Sequence, residues 1–407
     1  MDKISSVIRN VNWFRNSGIM TPPSGEWGVA ERVAVMKGNS AAEKIYKGFP
    51  AYTPFRDYAL LESRRADCNF ETALMFLLLQ EFTGNPADEK TGENILDFLY
   101  YRSGLLNRSS ETHDFGVWQW SHVWREWYLW LDDNSWCVFI QILLGMRYPH
   151  LDRKYGLVEW GVRLARTLLK VFRRTFRPDM GLGKAFDPEK EFCGDLSLPH
   201  FGALLMMAFL AADKADPDPE YRKAAEEYCR HLDSQLPNFN ASELSYILIA
   251  LPLIAEHWKE EDLFAALTRR TAAELQKRFR ENPYGNLPAE HSEAPCGGHL
   301  VDLIYTTNWG FLGFVHFAAF SGEQEDFDAA EKMASMLISI QDSSPEPCFQ
   351  GCWRGMYDLS ANSWGGGDCA EGGANSIYSG WTNAPISIAM MLLTRKEGLG
   401  NLFHPVR

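Results

Sequence analysis

The sequence predicts an all-α protein, an (α/α)6 barrel of six helical hairpins. Three observations carry that expectation. Helical periodicity runs through most of the 407 residues, with no convincing run of alternating strands. Two kinds of helix alternate along the chain, one apolar nearly all round and one with a single apolar stripe and a charged back. The links between them are short on one side and long on the other.

The helices apolar all round fall at residues 70–82, 136–144, 198–212, 244–255, 303–320 and 377–393. Such helices are buried on every side and form the inner ring. Five striped helices lie between them. Their apolar rows are Ile95, Leu96 and Leu99; Leu157, Trp160, Leu164, Leu168 and Val171; Tyr221, Ala225, Tyr228 and Leu232; Leu263, Leu267, Leu275 and Phe279; and Phe327, Ala330, Ala334 and Leu337. A stretch around residues 29–46 is expected to supply the sixth outer helix. An open superhelix of helix pairs is the competing architecture, but it calls for near-equal repeats, which the unequal links do not provide. The whole chain, 1–407, is expected to be one catalytic domain.

Links from an outer helix to the next inner one are long, at 103–131, 177–195, 281–298 and 342–374. All emerge beside the amino ends of the inner helices. Long loops on a rigid scaffold are the usual seat of binding and catalysis.

Composition narrows the function. A net charge of −13 argues against nucleic acid or an anionic membrane as partner. No segment has the continuous apolar length of a membrane span. The start, Met1-Asp2-Lys3-Ile4-Ser5, lacks a signal-peptide pattern, so a cytoplasmic location is expected. Eight cysteines in so long a chain are not a disulfide framework. Cys348 and Cys352 have a metal-like spacing without a matching second pair, and no metal or cofactor is expected. The run Gly181-Leu182-Gly183-Lys184 lacks the spacing of a phosphate loop.

The long loops combine acids with tryptophans, which is what sugar chemistry uses: carboxyl groups to move protons and flat apolar faces to hold pyranose rings. Asp132-Asp133-Asn134 opens the second inner helix between Trp130 and Trp136. Capping explains one of these acids well and two less well, so one is expected to face the cavity as a catalytic group while the other caps or orients. Asp368 and Glu371 open the last inner helix in a glycine-rich loop that ends at Asn375; here a capping box competes with function. Glu290 and His291 precede the fifth inner helix, with His299 beyond. These are either solvated loop residues or acid, base and substrate ligands. Arg65 and Asp67 read first as a structural pair, although an Arg on this face also suits a sugar carboxylate. Trp118, Trp120 and Trp130 are candidates for a sugar platform, and Trp120, Trp309, Trp364 and Trp381 are expected to wall the subsites.

These features resemble the six-hairpin glycosidase superfamily. More narrowly, residues 26–32 (EWGVAER), 67–74 (DCNFETAL), 132–136 (DDNSW) and 371–376 (EGGANS) are similar to glycoside hydrolase family 154. The resemblance spans the chain and implies an (α/α)6 fold, acids at inner-helix starts and β-glucuronidase-like activity. The function so expected is exo-acting hydrolysis of a terminal uronic acid or related sugar. Asp133 or Asp132 would pair with Glu371, and Glu290 stands in reserve. The alternatives are a sugar 2-epimerase using His200, His291 and His299, a polysaccharide lyase, and a non-catalytic glycan-binding protein. An oligosaccharide or glycoside is the expected partner.

Overall fold

The computed structural model describes residues 2–35, 52–55, 58–61, 63–112, 114–122, 129–177, 181–182, 192–259, 262–292, 294–365 and 376–406. Thirteen α-helices are present among them. Helix α1 is Lys3–Asn16, α2 is Ala66–Thr83, α3 is Pro86–Asp97, and α4 is Leu131–Arg147. After the short α5 (Pro149–Tyr155) come α6 (Leu157–Thr175), α7 (Pro199–Ala215), α8 (Pro219–Gln235) and α9 (Ala241–His257). The series ends with α10 (Asp262–Glu281), α11 (Thr307–Ser321), α12 (Gln324–Ile340) and α13 (Ala384–Arg395).

Six of these close a ring. Helix α2 packs on α4, α4 on α7, α7 on α9, α9 on α11, α11 on α13, and α13 back on α2. The sequence says why they lie inside. Fourteen consecutive residues of α2, Ala66 to Leu79, are buried, as are nearly all of α4 and α9. The outer helices bury one face only. In α8 it is Tyr221, Ala224, Ala225, Tyr228, Cys229 and Leu232, a repeat of three and four residues. Helices α3, α6, α8, α10 and α12 each cover the inner helix that precedes them. The predicted (α/α)6 barrel is therefore the observed fold.

Local signals set the helix limits. Gly84 ends α2 in the left-handed conformation, and Asn85 then caps α3 with Pro86 behind it. Asn240 and Glu243 form a reciprocal capping box on α9.

Three expectations need correction. The sixth outer helix is α1, which packs Val7, Val11, Trp13 and Phe14 inward and covers α13. The described part of 29–46 contains instead the strand Arg32–Val35, and residues 36–46 lie outside the described set. That strand sits between Ser376–Tyr378 and Tyr58–Leu61, with Tyr52–Phe55 at the edge, all antiparallel. Val33, Leu60 and Ile377 meet in its buried register. Second, the inner helix expected at 377–393 begins only at Ala384, because 376–378 is spent on strand pairing and 379–383 is a wide, irregular turn. Third, 303–320 becomes helical only at Thr307, after Leu300–Asp302 pairs with Met356–Asp358. Short strands are thus used where the chain comes back from the outer layer. They fix the long loops over one end of the ring.

Candidate active site

A cavity of about 350 Å³ opens at the amino ends of the inner helices. Each of the six contributes from its first turn or from the one to three residues before it. Arg65 comes before α2, Asp132 and Asp133 from α4, and His200 from α7. Ser242 and Glu243 come from α9, Tyr305 from before α11, and Trp381 from before α13. Aromatic walls are added by Trp120, Trp130, Tyr246 and Tyr378.

The centre of the site is a guanidinium among acids. Arg65 Nη2 donates to Asp133 Oδ1 at 2.7 Å and to Asp67 Oδ2 at 2.9 Å, and Nε reaches Asp67 Oδ1 at 3.2 Å. Its Nη1 lies 3.6 Å from Glu31 Oε1, which also receives Arg32 at 2.9 Å. All of these side chains are buried. Such a cluster stands only because each acid keeps a cation or donor.

Two acids of α4 enter the cavity, not one. No side chain caps α4, whose N-cap residue is Trp130. Of the two tasks expected for the second acid, capping is not seen, whereas Asp133 does orient a neighbour, Arg65. Asp132 Oδ1 and Asp133 Oδ2 are buried without a hydrogen-bond partner among the described residues. Burial raises the Asp132 carboxyl to about 6 against the pull of Arg65. Burial likewise pushes Asp133 well up, with the Asp67 and Asp132 charges adding to it and Arg65 opposing. His200 Nε2 lies 3.9 Å from Asp132 Oδ2, but burial and the nearby His291 lower His200 to about 3, so it is a neutral neighbour at ordinary pH. His291 is lowered by burial to about 4 and stacks on Tyr305 with ring centres 4.0 Å apart.

Trp381 is seated by the same acids. Its indole N–H donates to Asp67 Oδ2 at 2.6 Å and its backbone N–H to Glu71 Oε2 at 2.8 Å. The other oxygen of Glu71 accepts the indole N–H of Trp136. Burial, helped by the Asp67 charge, raises Glu71 to about 8. The backbone of Trp381 has φ +39°, a region that a bulky residue rarely occupies. Gly380 allows this approach: a Cβ there would lie 2.6 Å from Cys68 Cα and collide with Glu71 Oε2.

Of the residues expected from sequence, Arg65, Trp120, Trp130, Asp132, Asp133, His200, His291 and Trp381 line this cavity. Asp67 stands behind it with its oxygens occupied by Arg65 and Trp381. Trp309 is buried below, packed edge-on against Trp136 and Trp381, and its indole N–H donates to the carbonyl of Ile304. Trp118 is also a core residue, edge-on to Phe70. Trp364 packs on Tyr357 and His299 on Tyr284, both away from the lining. Glu290 is taken up by Arg278 at 2.7 Å and by the first amide of α9 at 2.6 Å, which makes it a cap and an ion-pair partner. That arrangement corrects its reserve role. Asp368, Glu371 and Asn375 lie outside the described residues.

Sequence reasoning passed over Glu31 and Glu71 as site-forming acids, and Tyr246, Ser242, Glu243, Tyr305 and Tyr378 as lining. The only signal was position, since most lie at or near inner-helix starts. Cys348 and Cys352 are buried thiols. Among the described residues, the grouping with metal-ligand spacing is Glu89, Glu93 and His150, partly exposed and outside this lining.

No protein-family description matches the chain, and no curated protein does. Solved structures do match, over nearly the whole chain. Cellobiose 2-epimerase from Spirochaeta thermophila is 13% identical, with 95% of this chain and 97% of that chain covered and a TM-score of 0.59. D-mannose isomerase is 9% identical over 95% and 96%, with a TM-score of 0.60. The family 76 α-1,6-mannanase from Salegentibacter is 11% identical over 97% and 100%, with a TM-score of 0.55. The fold is shared with these sugar-processing enzymes. At such identities the fold is what is common. Among the described residues, no helix is long and apolar enough to cross a membrane.

Proposed function

We propose that the chain is a carbohydrate-active enzyme that hydrolyses a glycosidic bond in the cavity above the ring, with Asp132 as general acid. The observation that carries the reading is the Asp132 carboxyl itself. It is buried, it faces a cavity walled by tryptophan and tyrosine, one oxygen has no hydrogen-bond partner among the described residues, and its pKa sits at about 6. A carboxyl in that state holds a proton at mildly acid pH and can release it to a leaving oxygen.

In the reaction the Asp132 O–H gives its proton to the glycosidic oxygen as the anomeric C–O bond breaks. A water adds to the anomeric carbon and its proton passes to a second carboxylate, the role proposed for Glu371. Asp133 holds Arg65, and through Arg65 the position of Asp67. Trp130, Trp381 and Tyr246 offer ring faces for the sugar.

The charge of the cavity favours an uncharged sugar there over the terminal uronate expected from the family 154 resemblance. Arg65 is the one Arg or Lys among the described lining residues, and three acids surround its guanidinium.

One observation favours a second reading, epimerisation of a free sugar. His200 and His291 both line the cavity and are both neutral, the state a proton-abstracting imidazole requires. Incubation with a panel of neutral oligosaccharides, assayed for reducing ends and for sugar composition, separates the two. New reducing ends support hydrolysis. A changed sugar with a constant number of reducing ends replaces it with epimerisation.

A further inference from the structure

The cavity at the amino ends of the inner helices has acids left over once its cation is counted. Its described lining holds three acids, Asp132, Asp133 and Glu243, and one guanidinium, Arg65. That guanidinium is already shared by Asp133, Asp67 and Glu31 at 2.7, 2.9 and 3.6 Å. His200 and His291 bring no charge at ordinary pH, since burial lowers them to about 3 and about 4. Helix amino ends by themselves favour anions, but here the acids of the protein occupy those positions: Asp67 on α2, Asp132 and Asp133 on α4, Glu243 on α9.

Each of the three lining acids keeps an oxygen that takes no hydrogen bond from a described residue. Asp133 gives Oδ1 to Arg65, while its Oδ2 is buried and unpartnered on a side chain only 8% exposed. Asp132 Oδ1 is in the same state. Glu243 spends Oε2 on the Asn240 amide at 2.9 Å, closing the capping box of α9, and Oε1 is left over. A buried carboxylate oxygen without a donor costs free energy that a bound donor recovers, and a charged donor recovers most. The walls favour a cation as well. Arg65 already lies over the rings of Trp120 and Trp381, 5.6 Å from each centre, and Tyr246 adds a further aromatic face.

We propose that this cavity takes an amino sugar, a pyranose whose ammonium group donates to Asp133 Oδ2 within the field of Glu243 and Asp132. The assignment rests on the cavity being the sugar-processing site, and it names the class of sugar. An ammonium is a compact charge with three donors, suited to a single carboxylate oxygen where a planar guanidinium needs two. Burial pushes the Asp133 carboxyl well up, with Arg65 opposing and the Asp67 and Asp132 charges adding to it. A ligand cation joins the side of Arg65 and favours the ionised form. The net charge of −13 draws such a ligand in from a distance. A neutral sugar fits the same space without that contact.

The test is a calorimetric titration of the full chain with the methyl glycosides of glucosamine, galactosamine and mannosamine. Each is paired with its hydroxyl and its N-acetyl counterpart, which have the same ring and no charge. The readout is the ratio of affinities, amine over neutral, so a general loss of sugar binding does not enter it. At least one amine should bind ~10-fold or more tightly than both its counterparts, the scale of one charge-assisted contact. Asp133→Asn should bring that ratio to within about twofold of unity. Glu243→Gln, which keeps the capping bond and loses the charge, should lower it by about threefold. Both variants are checked for an unchanged circular dichroism spectrum; should Asp133→Asn fail to fold, Glu243→Gln alone decides. The proposal is overturned if no amine binds better than its neutral counterparts, or if the ratio is unchanged in the folded variants. An amine preference without new reducing ends from any oligosaccharide supports it and removes hydrolysis. Cleavage of neutral oligosaccharides without an amine preference overturns it and keeps hydrolysis.

Discussion

Arg65 and Asp133 are joined at 2.7 Å, and the same guanidinium nitrogen holds Asp67 at 2.9 Å. One cation thus ties the first turn of α2 to the first turn of α4, at the point where both inner helices meet the cavity. Replacing Arg65 by Met would leave Asp67, Asp133 and Glu31 crowded without it. A loss of about 3–5 kcal/mol is expected, as for other buried pairs broken on one side. Urea unfolding at pH 7 measures it, and the loss should shrink at pH 4 as the acids take up protons.

Trp381 depends on a glycine before it. A Cβ at 380 has no room between Glu71 and Cys68, so Gly380→Ala must push Trp381 off its two acids, the backbone N–H from Glu71 and the indole N–H from Asp67. The expected outcome is a Tm several degrees lower together with a raised KM, because the displaced ring is a cavity wall. Glycoside kinetics beside a thermal melt check both.

Asp132 links stability to pH. Its folded pKa, about 6, lies above the ordinary aspartate value of 3.8, so the native state binds the proton more tightly than the unfolded chain. The stability contributed by that proton is present below pH 3.8 and is lost as pH rises through about 6. Asp132→Asn removes the penalty. It should stabilise the protein by ~1–3 kcal/mol at pH 8 and by little at pH 4, which denaturant titrations at the two pH values resolve.

The same group sets the direction of the rate profile. An acid at 132 predicts that kcat/KM declines as pH rises through about 6. Should His200 or His291 be the essential base, activity would instead persist at higher pH and fall only below about 4, where His291 takes up its proton. A pH–rate profile from 3.5 to 8.5 on any turned-over sugar decides between them.

The ring was legible because burial leaves a periodic trace. Residues 70–82 and 244–255 read as all-round apolar, and they are inner helices for that reason. The site was legible where position alone marks it: Asp132, Asp133 and Arg65 stand at inner-helix starts, where the barrel puts its cavity. What stayed hidden depends on partners distant in sequence. Glu290 looks like a free loop acid until Arg278 and the start of α9 close on it. Glu71 reads as one polar residue in an apolar helix, and only the return of the chain 310 residues later, at Trp381, gives it a role. The helical reading of 377–383 failed because strand pairing with 32–34 outweighed local propensity. The first outer helix was missed because α1 covers the last inner helix, the far end of the chain.

The central claim is tested most directly by Asp132→Asn on a neutral oligosaccharide that the wild type cleaves. Asparagine keeps the shape and cannot give up a proton. The account predicts that release of reducing ends falls by ~100-fold or more, the usual scale of a lost general acid, with sugar binding retained and stability at pH 8 equal or higher. Cleavage at the wild-type rate by that variant would contradict it.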